Sequence, residues 1–313
     1  MICYIAVMKL PHKKPVSFDG RVCEDGKSVQ IAAPAKINLF LRVMGKRPDG
    51  YHDIFSWFQA LDLVDQLEIE VAGHSNIEII SDHPDVPTGP DNLITMAAQA
   101  LREAIGMRMG FRVRLTKAIP VGAGLGGGSS DAAAFIKGVN RLLNLALTRQ
   151  QMVQIGLRAG SDVPFFFGRG QAEVTGRGEI VKDIELPTDY EVVLVTPRFQ
   201  IRAAEAYRKV NLDLTDTVHV ITLPERLQVD ALIGVISKMA NDLERGLLMS
   251  YPILDRVKRV LVRSGADIVR LSGSGPTVFA LYRDKGQSME RLAQTTEGGE
   301  WGWAKAHPVV LPA

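Results

Sequence analysis

A glycine-rich run constrains this chain more than any other feature of its sequence. From Gly122 to Gly128 five of seven residues are glycine, and the run continues to Asp131. Glycine loses more backbone entropy on folding than any other residue, so such a run is expected where the backbone takes positive φ or closely approaches a ligand. A helical pattern of apolar residues follows from Ala132, and alternating residues precede the run. The predicted unit is therefore strand, glycine loop, helix.

This loop is the predicted phosphate-binding site. A helix N-terminus presents free N–H groups and the positive end of a dipole to an anion. The predicted binding residues are Pro120, Val121, Gly122, Ala123, Gly124, Leu125, Gly126, Gly127, Gly128, Ser129 and Ser130. The alternative interpretation of the same residues is a flexible surface loop with a serine and aspartate cap.

Two other classes of nucleotide-binding loop fit this run poorly. Gly122, Gly124 and Gly127 match the GxGxxG spacing of dinucleotide-binding folds. That fingerprint also requires an acidic residue ~20 positions later, yet no Asp or Glu lies between Asp131 and Asp162. A Walker A motif is excluded because no Gly-Lys-Ser/Thr closes the loop. Dinucleotide binding is therefore only a minor alternative.

Composition predicts a soluble protein with two domains. The chain has 313 residues, and 46% of them are hydrophobic. Its length exceeds the ~250–300 residues at which single hydrophobic cores stop growing. Its net charge of +2 and the lack of a basic block argue against nucleic acid as a partner. No apolar run approaches the ~18 residues that suggest a membrane span. The two cysteines, Cys3 and Cys23, exclude a disulfide framework, so a reducing cytoplasm is predicted.

Hydrophobic periods predict a mixed α+β fold with mostly antiparallel strands. The predicted strands cover residues 31–41 in two pieces around Pro34, 67–71, 77–79, 111–115, 192–195, 268–271 and 277–282. The predicted helices cover residues 94–105, capped by Asn92 and ended by Gly106, then 132–143, 228–240 and 253–264. A composition change near Pro187 sets the domain boundary. The predicted divisions are an N-terminal extension over 1–28, an N-terminal domain that contains the glycine loop over 29–186 and a C-terminal domain over 187–313.

Seven motifs occur in one order over about residues 31–282. They are Pro34-Ala-Lys-Ile-Asn-Leu39, Arg47-Pro-Asp-Gly-Tyr-His52, Asp91-Asn-Leu93, the run from Pro120 to Ser130, Gly160-Ser-Asp-Val-Pro164, Asn241-Asp-Leu-Glu244 and Ser272-Gly-Ser-Gly275. Together they resemble the GHMP kinases, and within that superfamily the members that phosphorylate a cytidine diphosphate alcohol in non-mevalonate isoprenoid synthesis. The resemblance implies a ribosomal protein S5 domain 2-like N-terminal domain and a ferredoxin-like C-terminal domain.

The resemblance also implies a catalytic pair, Lys36 and Asp162. Asp162 abuts an apolar run, so we expect it to be partly desolvated and to need a neighbouring cation to stay ionised. Asp162 would accept the proton of the acceptor hydroxyl, and Lys36 would keep Asp162 ionised and stabilise developing charge. Taken alone, Asp162 could instead cap a turn and Lys36 could be a solvated strand residue.

The resemblance assigns the cytidine end of the substrate to a second group of residues. Tyr51 would stack on the base, His52 would hydrogen-bond its edge, and Asn38 would add polar contacts. Tyr207 would be a second stacking aromatic, although residues 199–203 depart from the serine- or threonine-containing forms expected there. Without the resemblance, core cover would be the better interpretation of Tyr51 and His52.

ATP with Mg²⁺ is the implied co-substrate, and no tightly bound cofactor is predicted. The six histidines form no metal-ligand spacing, so no metal site is predicted, and Ser130 is the one candidate Mg²⁺ ligand. The predicted protein is a monomer or weak homodimer. Two alternatives stay open: another GHMP-type kinase, for homoserine or mevalonate, and a ligand-sensing protein that kept the fold without catalysis.

Overall fold

The computed structural model describes residues 17–24, 26–210, 227–284, 286, 288 and 301–312. Within these residues the strands of a first sheet are β1 (Arg21–Val22), β2 (Ser28–Lys46), β3 (His52–Ala72), β4 (Ile77–Ser81), β5 (Gly110–Thr116), β6 (Gln171–Gly176) and β7 (Ile180–Asp183). Their order is β1-β2-β3-β5-β4, with β6 pairing to β3 and β7 to β6. All these pairs are antiparallel except β4 with β5, which are parallel. The sequence predicts mostly antiparallel strands, and this pair is the exception because a helix connects β4 to β5 and returns the chain in the same direction.

Helices cover one face of the first sheet. They are α1 (Leu93–Ile105), α2 (Gly127–Leu142), α3 (Arg149–Leu157) and a short 3-10 helix over Val163–Phe167. The prediction for α1 is confirmed: Asn92 Oδ1 accepts from Ile94 N at 2.8 Å, and Gly106 ends the helix with φ of 68°. Apolar residues of these helices and of β2, β3 and β5 form one core.

The second sheet contains β8 (Glu191–Pro197), β9 (Ile268–Leu271), β10 (Val278–Tyr282) and β11 (Trp301–Ala306). Its order, β11-β8-β10-β9, is 4-1-3-2 in chain numbering, and all neighbours are antiparallel, as in a ferredoxin-like domain. The described helices beside it are α4 (Ala203–Arg208), α5 (Val229–Ile236), α6 (Glu244–Ser250) and α7 (Pro252–Arg263). Both faces of β8 are buried: Val192 and Leu194 belong to one core, Val193 and Val195 to another. Burial on both sides explains the unbroken apolar run in its sequence.

Strands β2 and β3 connect the two sheets through a shared core. The predicted two pieces around Pro34 are one strand of 19 residues, whose register with β3 shifts between Pro34 and Ala35. Proline cannot donate to the ladder, and the irregularity accommodates it. Beyond this point Ala35, Ile37 and Leu39 pack against residues of β8 and β10. The two long strands therefore carry the chain from one sheet's core to the other's.

Both ends of the described chain lie on the first sheet. Residues 21–22, within the predicted N-terminal extension, pair with β2, and residues 1–16 of that extension lie outside the described residues. After β11, Val309 N donates to Ala60 O at 3.0 Å and Leu311 is buried in the first core. The domain boundaries at residues 28 and 186 stay a prediction. In the described part of the chain, no helix is long and apolar enough to cross a membrane.

Candidate active site

The glycine loop changes direction at three left-handed glycines. Gly122, Gly124 and Gly126 have φ of 65°, 78° and 71°, values that L-residues with a side chain rarely adopt. Gly126 is the N-cap of α2, so the helix begins at Gly127 and not at the predicted Ala132. A prediction based on apolar periodicity misses this first turn, because its glycines have no apolar side chains. The last part of the predicted loop, including Ser129 and Ser130, is therefore the start of a helix.

Backbone and hydroxyl groups from two segments hold the loop in place. Lys36 N donates to Leu125 O at 2.9 Å, and Thr277 N donates to Ala123 O at 3.3 Å. Ser272 Oγ donates to Gly124 O at 2.9 Å. A Cβ at Gly124 would lie 2.2 Å from Ser272 O, so only glycine allows this approach. The loop is thus packed between β2 of the first sheet and the turn that precedes β10 of the second.

One side of the loop faces a cavity of about 260 Å³, here called the loop cavity. Its wall includes every residue from Pro120 to Ser129, together with Asn92, Lys117 and Asp131. The first N–H groups of an α-helix have no partner within the helix, and the first turn of α2 lies on this wall. The arrangement can bind an anion through main-chain donors.

Ser130 is the one predicted loop residue absent from the loop cavity wall. Its Oγ is buried and, among the described residues, has no hydrogen-bond partner. The role of Ser130 as a Mg²⁺ ligand stays a prediction. Ser129 lies on the wall instead. Within the described residues, no group of three or more His, Cys, Asp or Glu could hold a metal ion.

A larger cavity of about 890 Å³, the junction cavity, lies on the other side of the loop. It shares Gly124, Gly126 and Ser129 with the loop cavity. Its remaining walls come from β2, β3, the turns at residues 49–51 and 177, residues 161–162, α4 and residues 273–274. A molecule in each cavity would therefore meet the other across these three residues.

Lys36 and Asp162 meet in the junction cavity. Lys36 Nζ lies 3.4 Å from Asp162 Oδ2, and the side chains are 5% and 33% exposed. Asp162 precedes the 3-10 helix but makes no side-chain capping bond there, which removes turn capping as its role. Lys36 is buried, not solvated as the alternative interpretation had it. Burial lowers the pKa of Lys36, and the carboxylate of Asp162 opposes that shift.

Asn38 lies beside Lys36 on the same face of β2. Lys36 Nζ donates to Asn38 Oδ1 at 2.6 Å, and Lys36 Nζ also lies 4.4 Å from the ring centroid of Phe58. Asn38 Nδ2 donates to Ser56 Oγ at 3.1 Å, and Asn38 N donates to Ser272 Oγ at 3.4 Å. Asn38 thus contacts the predicted catalytic lysine as well as the cavity.

Tyr51 is at the mouth of the junction cavity. It is 55% exposed, so it does not cover the core. The guanidinium of Arg177, from the turn between β6 and β7, lies over its ring at 4.9 Å from the centroid. Gly178, with φ of 119°, lets the same turn approach Asp162: a Cβ there would lie 3.1 Å from Asp162 Oδ1. An exposed ring with a cation on its face is suited to bind a flat, negatively charged ligand.

His52, at the start of β3, contacts Tyr207 of α4. Their rings are stacked, with centroids 5.1 Å apart and planes inclined by 14°. Burial, and then the charge of Lys46, lowers the pKa of His52. Burial, and then the charge of Asp162, raises the pKa of Tyr207. The structure therefore brings Lys36, Asn38, Tyr51, His52, Asp162 and Tyr207 onto one cavity.

A buried charge cluster beneath the loop was not predicted as part of the site. Lys117 Nζ contacts Asp65 Oδ2 and lies 2.9 Å from Asp131 Oδ2. Asp65 Oδ1 also accepts from Ala118 N and Ile119 N at 2.7 and 2.8 Å. Burial, and then the charge of Asp65, raises the pKa of Asp131 well above its usual range. The cluster ties β3, the residues before the loop and α2 together. A lysine directly before the loop and an aspartate directly after it were the available sequence signals.

Other contributing residues had weaker sequence signals. Ser56 is an ordinary polar residue within a strand, and Arg177 lies in a short turn. Gln200, between β8 and α4, contacts the glycine loop: a Cβ at Gly122 would lie 2.9 Å from its side-chain amide. Only the tertiary contacts single out these three positions.

Comparison with known proteins agrees with this geometry. Residues 92–170 match the family described as GHMP kinases N terminal domain, and residues 229–293 match GHMP kinases C terminal. A protein of Geobacter sp. (strain M21), named 4-diphosphocytidyl-2-C-methyl-D-erythritol kinase, is 40% identical over 88% of this chain and 97% of its own length. A protein of the same name from Bacillus pumilus (strain SAFR-032) is 42% identical over 80% of this chain and 87% of its own. The chain belongs to the GHMP kinases and is an ATP-dependent small-molecule kinase.

Solved structures show the same architecture. The crystal structure of a 4-(cytidine 5'-diphospho)-2C-methyl-D-erythritol kinase superimposes with a TM-score of 0.70 and 30% identity, over 90% of this chain and 99% of that one. A homoserine kinase from Cytophaga hutchinsonii ATCC 33406 gives a TM-score of 0.68 at 17% identity, over 91% and 95% of the two chains. The second likeness is one of fold. The predicted two-domain α+β fold of the GHMP kinases is confirmed.

Proposed function

We propose that this kinase transfers the γ-phosphoryl group of ATP to the 2-hydroxyl of 4-diphosphocytidyl-2-C-methyl-D-erythritol, in isoprenoid precursor synthesis. The observation that carries the proposal is the Lys36–Asp162 pair, 3.4 Å apart beside the residues that the two cavities share. A donor phosphate in the loop cavity and an acceptor hydroxyl in the junction cavity would meet there. The names of the relatives at 40% and 42% identity support this acceptor.

The transfer needs a base for the hydroxyl proton and groups that stabilise the negative charge of the phosphates. Asp162 accepts the proton of the 2-hydroxyl, the hydroxyl oxygen forms a bond to the γ-phosphorus, and the bond to the β–γ bridging oxygen breaks to release ADP. Main-chain donors of the glycine loop bind the phosphates. Lys36, with Nζ 3.4 Å from Asp162 Oδ2, holds the carboxylate in place and stabilises negative charge on the transferring group. When bound with ATP, Mg²⁺ would supply positive charge to the phosphates, and phosphate and water oxygens would supply most of its ligands.

The junction cavity supports a long acceptor with an aromatic base. Its proposed cytidine contacts are Tyr51 by stacking, His52 by hydrogen bonding at the base edge, Tyr207 as the second aromatic, and Asn38 by polar contact. The cavity, at about 890 Å³, is more than three times the volume of the loop cavity. Homoserine and mevalonate are small alcohols without a base, and they would leave the Tyr51 end of this cavity unfilled. We further propose that the enzyme acts in the cytoplasm as a monomer or weak homodimer.

A coupled assay of ADP release with a panel of acceptors tests the assignment. The panel contains the cytidine diphosphate alcohol, homoserine, mevalonate and galactose, each at several concentrations with Mg²⁺ and ATP. We expect turnover above the acceptor-free background only with the cytidine compound. Turnover with homoserine or mevalonate instead would replace the proposed substrate, and no turnover with any acceptor would favour a ligand-sensing role.

A further inference from the structure

We propose that Ser56 is a positioning residue for phosphoryl transfer, acting on Lys36 through the amide of Asn38. The inference rests on the catalytic role proposed for Lys36 and extends it to a residue outside both cavities. Three hydrogen bonds carry it, and they run in sequence from the carbonyl of Phe40 to Ser56, then to Asn38 and then to Lys36.

The direction of these bonds is fixed at one end by a group that can only accept. The carbonyl oxygen of Phe40 has no proton, so the hydroxyl of Ser56 must donate to it. The Ser56 oxygen is then left to accept, and the Asn38 Nδ2 that donates to it lies at 3.1 Å. Because Nδ2 faces Ser56, Oδ1 faces the opposite way, towards the ammonium of Lys36 at 2.6 Å. The Lys36 ammonium can only donate, so Ser56 and Lys36 both require this orientation of the Asn38 amide, and Ser56 anchors it from the side away from the cavity.

A strand irregularity brings the three side chains together. In the β2–β3 ladder Asn38 lies opposite Phe58, whereas Phe40 lies opposite Trp57, so Leu39 is one residue in excess on β2. Such a bulge bends its strand and redirects the side chains next to it. The carbonyl of Phe40 directly follows the bulge and accepts from Ser56 on the neighbouring strand.

Burial makes the arrangement matter energetically. Ser56, Asn38 and Lys36 are 0%, 1% and 4% exposed, so water cannot readily replace a lost partner. A buried polar group left without its partner is costly, and more so next to a charge. Without the Ser56 acceptor Asn38 Nδ2 loses the bond that anchors the amide, so the amide can rotate and carry Oδ1 out of line with the Lys36 ammonium. Lys36 would then lose the contact that holds its Nζ between the Phe58 ring and Asp162.

The test is a double-mutant cycle on the full chain, with Ser56→Ala, Lys36→Met and their combination. We expect Ser56→Ala to lower kcat by about 3- to 30-fold, within the coupling usual for contacting residues, and to leave the KM for ATP nearly unchanged. In the Lys36→Met background it should have no further effect. The hydrogen bond that Lys36 Nζ donates to Asn38 Oδ1 favours the charged form of Lys36. Loss of this bond should therefore also move the alkaline limb of the kcat–pH profile to lower pH.

A matched control separates positioning from simple loss of stability. Ser264 is a buried serine of the second sheet's core, 3% exposed, and its hydroxyl donates to Leu261 O at 2.7 Å. Ser264→Ala should lower the melting temperature but leave kcat and its pH profile unchanged. Ser56→Cys keeps the shape of the side chain but replaces the hydroxyl by a slightly larger thiol, which is a weak donor and a weak acceptor. It serves if the alanine variant does not fold, with an expected intermediate loss of kcat.

Each outcome decides a different claim. If the fold-losses of kcat caused by Ser56→Ala and by Lys36→Met multiply in the double variant, Ser56 acts independently of Lys36 and the positioning role is wrong. Wild-type kcat and pH profile in folded Ser56→Ala or Ser56→Cys would also overturn it, while the proposed function would stand. If Lys36→Met itself retains wild-type turnover, the catalytic role of Lys36 is lost, and the inference about Ser56 falls with it.

Discussion

The two cavities on either side of the glycine loop are built in different ways. The loop cavity is lined largely by one continuous stretch, Pro120 to Ser129, and its proposed ligand contacts are main-chain N–H groups. The junction cavity is lined by side chains from separate strands, turns and a helix of both sheets. A backbone-built site accepts phosphates through geometry that glycine permits, whereas a side-chain-built site selects its ligand by ring, charge and hydrogen bond. Substitutions should therefore affect donor and acceptor binding separately.

The largest difference between the effect on turnover and the effect on ATP affinity is expected at Asp162. Asp162→Asn removes the proposed base but keeps the size of the side chain, so turnover should fall by roughly 10²–10⁴. ATP affinity, measured by titration in the absence of acceptor, should stay near that of the wild type because Asp162 does not line the loop cavity. Wild-type turnover by a folded Asp162→Asn protein would remove Asp162 from the mechanism.

A smaller difference, between the affinity for the cytidine substrate and the affinity for ATP, is expected at Tyr51. Stacking on a base is worth ~1–3 kcal/mol by alanine substitution, so Tyr51→Ala should weaken binding of the cytidine substrate by roughly 5–150-fold. ATP affinity should not change. Because Tyr51 is 55% exposed, the melting temperature should also hold, and Tyr51→Phe should be mild since it keeps the ring. Equal weakening of both ligands, measured by calorimetric titration of each, would refute the cytidine contact.

The smallest effect of the three is expected in the loop itself. Gly122 has φ of 65°, and a left-handed residue with a side chain costs ~1–2 kcal/mol. If the bound loop needs this conformation, Gly122→Ala should weaken ATP by about 5–30-fold and leave the acceptor's affinity unchanged. Gly106→Ala is the control, because Gly106 has φ of 68° at the end of α1, away from both cavities. It should lose stability without losing ATP affinity; parallel losses of ATP binding in both variants would contradict the loop's role.

Sequence patterns predicted the elements whose cause is local. Helix α1 was predicted with both of its ends, because Asn92 and Gly106 act on the residues next to them. Strand β5 was predicted from its alternation of apolar and polar residues. The start of α2 was missed because three successive glycines and two serines carry no apolar period, although the positive φ of Gly126 begins a helix at Gly127. No sequence pattern indicates that β4 and β5 pair in parallel, since strand direction depends on where the connecting helix packs.

By itself the sequence determined the glycine loop, the alternation and helical periods that assign residues to the cores, and the resemblance that singled out Lys36 and Asp162. The tertiary structure decided what those residues meet. It brought Lys36 to 3.4 Å from Asp162, stacked His52 of β3 on Tyr207 of α4, and placed Ser56 within hydrogen-bond distance of Asn38. The physical reason is range: capping, φ preference and periodicity act over a few residues, whereas burial of a lysine and the orientation of an amide depend on distant segments that packing brings together.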